Sequence, residues 1–139
     1  MLDNCDGPSF NAVIGPGTCN RNGGLTFQKF FAALFKGGAP SWRFSPGQLK
    51  VEAGGTVTAR NNRGEFHTFT SVAAFGGGCI AALNGPLGLS PVPECSIPGI
   101  IPATGAVPGA SVTTGSLATG THRFECLIHP WMRTTVSVG

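Results

Sequence analysis

Residues 120–139 read GTHRFECLIHPWMRTTVSVG. Two stretches, GTHRFEC and RTTVSVG, have the short, β-branched and aromatic character of strands. Between them lies the loop CLIHPWM, Cys126 to Met132. Two residues separate the cysteine from His129, and two separate His129 from Met132. One strand ends at Cys126 and the next leaves from Met132, so the loop can fold back around a single point. A thiol, an imidazole and a thioether are thereby gathered at one end of a strand pair.

Working outward from this hairpin, the same period-two pattern covers residues 42–62, WRFSPGQLKVEAGGTVTARNN. Turns are expected at Ser45-Pro46-Gly47 and at Ala53-Gly54-Gly55. EFHTFTSVAAF is a further strand, with Phe66, Thr68, Thr70 and Val72 on one face and His67, Phe69 and Ser71 on the other. ASVTTGSL supplies another. Short strands, many turns and no alternation of strand with helix predict an all-β antiparallel sandwich. One helix is expected, over about residues 27–36. Phe27, Phe30, Phe31 and Leu34 fall on one face at helical spacing. Thr26 is placed to cap it, Leu25 and Phe30 to staple it, and Gly37-Gly38 to end it. Residues 1–24 read as an irregular segment closed by a disulfide. Residues 76–109 read as a long Gly/Pro-rich insertion held by a second one. The whole, 1–139, is expected to be a single domain, with residues 1–41 as an N-terminal extension.

The composition agrees with this outline. Among 139 residues there are 22 Gly and 11 Pro, and only 11% are charged. An average soluble chain has about 25% charged residues, so this surface is built from turn-forming and small polar groups. The net charge of +3 is spread along the chain. Without a basic stripe interleaved with aromatics, no nucleic-acid partner is expected. No apolar run approaches the roughly 20 residues of a membrane span. Asp3, Cys5 and Asp6 follow Met1 too closely for a secretory leader, so an exported protein would appear here in its mature form.

Five cysteines carry the next inference. Cys5 and Cys19 flank one turn-rich loop, and Cys79 and Cys95 flank another of similar length. Four cysteines allow three pairings, of which Cys5–Cys19 with Cys79–Cys95 is preferred. Each such loop would gain on the order of 3 kcal/mol from closure in the chain-entropy model. Two disulfides predict an oxidising compartment, periplasmic or extracellular. Cys126 is then left without a partner. A lone thiol in such a compartment needs something to hold it, and a metal would.

A thiolate, two imidazoles and a weak, long axial thioether are the donor set of a blue-copper centre. The loop provides three of the four, and the chain has two other histidines. His67 lies mid-strand about 60 residues upstream. His122 lies four residues before Cys126 on the same strand, roughly 13 Å away at about 3.3 Å per residue, too far to share a metal. The expected ligands are therefore His67, Cys126, His129 and Met132, with His122 a partly buried histidine bonded to backbone. A lone C-x-x-H is a weak signal. C-x-x-H-x-x-M in an all-β chain, with an upstream strand histidine and an unpaired cysteine, is a specific one.

On these residues the chain resembles the cupredoxins. CLIHPWM resembles that family's ligand loop, GTHRFEC the strand entering it, and FSPGQLKVEAGGTVTARNN with FHTFTSV the early strands. The resemblance spans residues 42–75 and 110–139. It implies a Greek-key β-sandwich, one copper ion cycling between Cu(I) and Cu(II), and His67, Cys126, His129 and Met132 as its ligands. The chain departs from the family at Thr68, where an Asn frequently follows the upstream histidine and fixes the loop. A hydroxyl is shorter than an amide, which leaves the bonding around the Cys126 sulfur open.

The function so implied is one-electron transfer by a soluble monomer that is not itself an enzyme. The alternatives are copper storage or delivery, and a copper oxidoreductase subunit. The latter needs further copper centres, and of three histidines two are already committed. A zinc site is a further reading, opposed by the thioether. His129 is expected to lie nearest solvent, ringed by Leu127, Ile128, Pro130 and Trp131. Protein redox partners would then dock near His129 and Trp131, unless Trp131 packs inward as core.

Overall fold

The computed structural model describes residues 1–139. The hairpin that opened the argument forms as expected. Strand β7, Gly120–Glu125, pairs antiparallel with β8, Arg133–Val138, from Gly120 opposite Val138 to Glu125 opposite Arg133. In β8 the side chains of Thr134, Val136 and Val138 are buried in alternation, as period two requires. β4, Thr70–Val72, pairs with the free edge of β7. β1, Gln48–Val51, runs parallel to β8 on the other side. The resulting order is β1-β8-β7-β4. β2, Thr58–Arg60, and β6, Ser111–Thr113, form a separate antiparallel ribbon. β3, His67–Thr68, pairs with β5, Gly105–Ala106.

The ribbon and the four-stranded sheet share one core, so the β-sandwich expectation holds. Ala59 and Val112 of the ribbon pack against the buried cluster that holds Phe44, Phe69, Phe124 and Val136. Phe69 stacks on Phe124 with ring centroids 4.4 Å apart, and Phe44 meets Phe69 edge-on at 5.1 Å. Aromatic pairs of this kind are worth about 0.5–1.5 kcal/mol beyond their buried area.

The expected helix is present as α2, Phe27–Leu34, two residues shorter than its pattern suggested. Thr26 caps it through its side chain, which accepts from Lys29 N. It stops because Gly37 and Gly38 adopt φ of +99° and +119°, values that L side chains rarely take. Phe30 and Leu34 are its buried face.

Three expectations require correction. The sandwich is not wholly antiparallel, because β1 runs parallel to β8. Residues 1–24 are not wholly irregular: Gly7–Val13 form a helix, α1. Asp6 caps it by accepting from Ser9 N at 3.1 Å, and a proline stands in its first turn. Asp-Gly-Pro-Ser was a readable helix start whose periodic face is too short to register. Residues 76–109 likewise contain α3, Ala81–Leu87, a 3₁₀ turn at Pro93–Ser96, and α4, Ile100–Thr104. Gly85 and Pro86 inside α3 mask it from any propensity argument.

The disulfides are Cys5–Cys19 and Cys79–Cys95, with Cα separations of 6.2 and 5.5 Å. Cys126 is free and buried. The first disulfide closes the segment bearing α1, which lies against α2 through Phe10. That ring packs on Phe27, Phe30 and Trp42 with centroids 5.3, 5.1 and 5.9 Å away. No helix is long and apolar enough to cross a membrane.

Candidate metal centre

The loop between β7 and β8 closes on itself. Cys126 N–H donates to Met132 O at 3.1 Å, and Met132 N–H donates to His129 O at 2.9 Å. These two bonds close the turn that carries Cys126, His129 and Met132, and all three are buried. β3 delivers His67 from the neighbouring pair of strands. His67, Cys126 and His129 each offer one donor atom, and these atoms lie within 4.8 Å of one another. The Cys126 Sγ to His129 Nδ1 distance is 3.7 Å. The imidazole ring centroids are 5.1 Å apart.

The donor set fits a thiophilic metal. His67 uses Nε2 to meet Asp3 at 2.8 Å, and its buried Nδ1 has no hydrogen-bond partner. An orphaned buried nitrogen costs on the order of 1–3 kcal/mol, which a metal would recover. The Cys126 thiol is held well below its ordinary range. Burial alone would raise it, but the contacts with His129 and His67 outweigh burial. His129 is pushed up to about 10: burial opposes this, while the Glu65 carboxylate and the Cys126 sulfur drive it. Thiolate and imidazolium therefore share the metal-free site, and a cation would meet an already ionised sulfur and displace a proton from the His129 ring.

Thr68 resolves the question its presence raised. Its backbone N–H points at Cys126 Sγ, 3.4 Å away. Its hydroxyl accepts from Leu127 N at 2.8 Å, pinning the residue next to the thiolate. Thr70 Oγ1 donates to the same oxygen at 2.9 Å and lies 2.8 Å from Thr104 Oγ1. The short hydroxyl thus bridges β3 to the ligand loop, supported by a second threonine.

His122 stands apart, as strand spacing requires. It pairs across β8 with Val136, and its Nε2 lies 2.7 Å from Ala118 O.

His129 is the least buried of the four ligand candidates, the other three being fully enclosed, but it does not open to solvent. It is only 2% exposed, and the N-terminal helices cover it. Phe30 of α2 meets its ring edge-on at 6.1 Å, and Trp131 does so at 5.6 Å. Trp131 is itself turned inward. Its Nε1 donates to Ala39 O at 2.9 Å, and its ring lies so close to Gly38 that a Cβ there would stand 2.4 Å from the indole. Leu127 and Pro130 are buried as well. Leu127 packs with Val72 and Val92, and its carbonyl accepts from Cys79 N at 2.6 Å. That α2 covers His129 and Trp131 through Phe30 was not foreseeable from a pattern that predicts only that the helix packs somewhere. A cavity of about 420 Å³ remains between these helices and α3, lined by Phe10, Phe27, Phe31 and Leu83, with Glu65 and His129 also on its wall. Rings continue outward from His129 through α2. Phe30 and Phe27 are 5.9 Å apart, Phe27 and Phe31 6.0 Å, and Phe31 and Phe35 5.9 Å. Phe35 is exposed.

Sequence reasoning also missed two carboxylates. Asp3 reaches His67, and Glu65 Oε2 stands 3.6 Å from His129 Nε2. Glu65 lies two residues before His67, which could have drawn notice. Asp3 lies 64 positions away and carries no local signal.

No protein-family model matches the chain, and no curated protein sequence matches it. Among solved structures it is similar to a reduced amicyanin variant, at 22% identity and a TM-score of 0.47, over 70% of this chain and 73% of that one. It is similar to a purple cupredoxin from Nitrosopumilus maritimus at 19% identity and a TM-score of 0.47, over 73% and 86%. An oxidised amicyanin variant gives 20% identity and a TM-score of 0.47, over 73% and 77%. Likenesses this distant carry no functional argument, and the chemistry of the site has to supply it.

Proposed function

We propose that the chain is a cupredoxin-like one-electron carrier. Its single copper would be held by His67, Cys126 and His129, with Met132 as a weak axial ligand. The observation that carries this reading is the buried convergence of one free thiol and two imidazoles, with the His67 Nδ1 left unpartnered. Copper bound there would supply a Cu(I)/Cu(II) couple, since thiolate, thioether and imidazole suit the reduced ion and a rigid site makes the oxidised ion accept the same donors. The protein's part is to hold those donors still. The loop-closing bonds, Thr68 and the surrounding sandwich do so, and little has to move when the charge changes.

The burial of the site favours a carrier over a storage or delivery protein, whose metal has to exchange readily. The remaining histidine, His122, is committed to Ala118 O and lies outside the site, which favours a carrier over an oxidase with several coppers. The two disulfides support a periplasmic or extracellular location. We place the protein there as a monomer that meets protein redox partners at the end of the sandwich bearing α2 and Trp131.

An optical spectrum tests the reading. The Cu(II)-loaded protein is expected to be intensely coloured by thiolate-to-copper charge transfer, and Cys126→Ser to be colourless. A colourless wild type that binds copper would refute it, and preferential uptake of zinc would favour the zinc reading.

A further inference from the structure

The structure assigns Asp3 and Glu65 as the positioning residues of the two imidazoles: each faces the outer nitrogen of one ring and so turns the inner nitrogen toward Cys126. This rests on His67 and His129 being metal ligands, and it goes beyond that reading by naming what orients them.

The geometry at Asp3 is the firmer of the two. Its carboxylate is buried and accepts four hydrogen bonds. Oδ1 takes Cys5 N at 3.2 Å and Gly64 N at 3.3 Å. Oδ2 takes Glu65 N at 3.1 Å and His67 Nε2–H at 2.8 Å. Three backbone donors fix the carboxylate, and the fixed carboxylate fixes the ring. A donating Nε2 leaves Nδ1 as the nitrogen with a free lone pair, and that is the nitrogen without a partner. At His129 the contact is an ion pair at 3.6 Å, longer than a hydrogen bond. Glu65 is nevertheless held in place. Its Oε2 accepts from Trp42 Nε1, and Trp42 is buried between Phe10 and Phe30. Both carboxylates are thus anchored by residues other than the ligand candidates.

A carboxylate behind a ligating imidazole raises its basicity and fixes its tautomer. Two of them add negative charge to a buried site, which favours the more positive oxidation state of any ion bound there. The N-terminal extension is then part of the site rather than an appendage, because Asp3 belongs to it. The short disulfide-closed segment delivers that residue beside Gly64–His67.

Glu65→Gln is the cleanest perturbation. A glutamine can keep its oxygen toward Trp42 and His129 while losing the charge. It is expected to keep the charge-transfer colour, to lower Cu(II) affinity by about 10–100-fold, and to lower Cu(I) affinity less. The reduction potential then rises by about 59 mV for each tenfold difference between the two losses. Asp3→Asn should act in the same direction. Because an amide cannot accept from all four donors, that variant is read only where its spectrum of backbone amides shows it folded. Asp6→Ala, which uncaps α1 without touching either histidine, controls for mere loosening of the extension. It should lower Tm and leave the potential unchanged.

A readout without copper separates this inference from the one beneath it. In the metal-free wild type, ¹⁵N-detected histidine spectra should show a proton on Nε2 of both His67 and His129, with the His67 proton the slower to exchange. Asp3→Asn should speed that exchange. A colourless copper-loaded wild type would overturn the copper reading while leaving this test standing. An unprotonated Nε2 on either ring would overturn the positioning role, as would unchanged Cu(II) affinity and potential in Glu65→Gln, or an Asp6→Ala shift as large as that of Glu65→Gln.

Discussion

Thr68→Val removes one oxygen from the site and almost nothing else. Valine has nearly the same shape, so packing against β5 is kept, and the backbone N–H that faces Cys126 Sγ is untouched. What is lost is the acceptor of two hydrogen bonds. The Thr70 hydroxyl has an alternative, since Thr104 Oγ1 is 2.8 Å away. Leu127 N–H has none, and Leu127 is fully buried. The substitution therefore leaves one buried backbone donor unsatisfied, at about 1–3 kcal/mol. A domain of this size is stable by about 5–15 kcal/mol, so it still folds. Chemical denaturation of the metal-free protein should register the loss. The charge-transfer band of the copper protein should shift, because Leu127 adjoins the thiolate. Thr68→Ser keeps the oxygen and drops a methyl, costing on the order of 1 kcal/mol, and should leave the band in place. A Thr68→Val protein within 0.5 kcal/mol of wild type, by the same scale of estimate, with an unshifted band, would refute the bridging role of the hydroxyl.

Three further outcomes are expected. Met132→Gln should lower the reduction potential and Met132→Leu raise it, both with copper retained; a potential constant across the series in voltammetry would mean that Met132 does not face the metal. Burial pushes Glu125 up to about 7 from 4.5, with the Cys126 and Glu94 charges adding to it and Gly76 N–H and Arg133 opposing. The folded state therefore holds this proton more tightly than the unfolded chain. Stability of the metal-free protein should fall as pH rises from about 4.5 to 7, by at most about 3 kcal/mol; Glu125→Gln should flatten that slope, and an identical slope in the variant would refute the assignment. Phe30→Ala should cost about 3–5 kcal/mol and make the copper band respond to added azide, where the wild type does not; a band equally indifferent in the variant would show that Phe30 does not seal His129.

The parts of this molecule that were legible in sequence are those governed by local period. β7, β8 and the loop between them follow from alternation and from the two-residue spacings in CLIHPWM. α2 follows from Phe27, Phe30, Phe31 and Leu34, and the spacing of cysteines across turn-rich loops favoured the two disulfides that form over the other two pairings. His122 could be set aside because distance along a strand is fixed. What could not be read depends on which surfaces meet. A stripe of phenylalanines announces that α2 packs, but it does not announce that the packing partner is His129. Asp3 and His67 are joined by folding alone. α1 and the helices within residues 76–109 were missed for a different reason. Each spans two turns or fewer, where caps and tertiary contacts decide and periodicity has too few residues to speak.

The file of rings from His129 outward has a consequence for how charge would cross this protein. Water near a redox ion must turn its dipoles whenever the charge changes, and that reorientation adds to the barrier. Phe30 and Trp131 stand edge-on against the His129 ring, and where apolar rings take the place of water less of the surroundings has to respond. The same layer widens the gap to any partner, since a helix with its side chains is about 10–12 Å across. Phe30, Phe27, Phe31 and Phe35 follow one another along α2, at centroid spacings of 5.9 to 6.0 Å. Exposed Phe35 ends that file at the surface, and an electron that followed it would trade proximity for a quieter path.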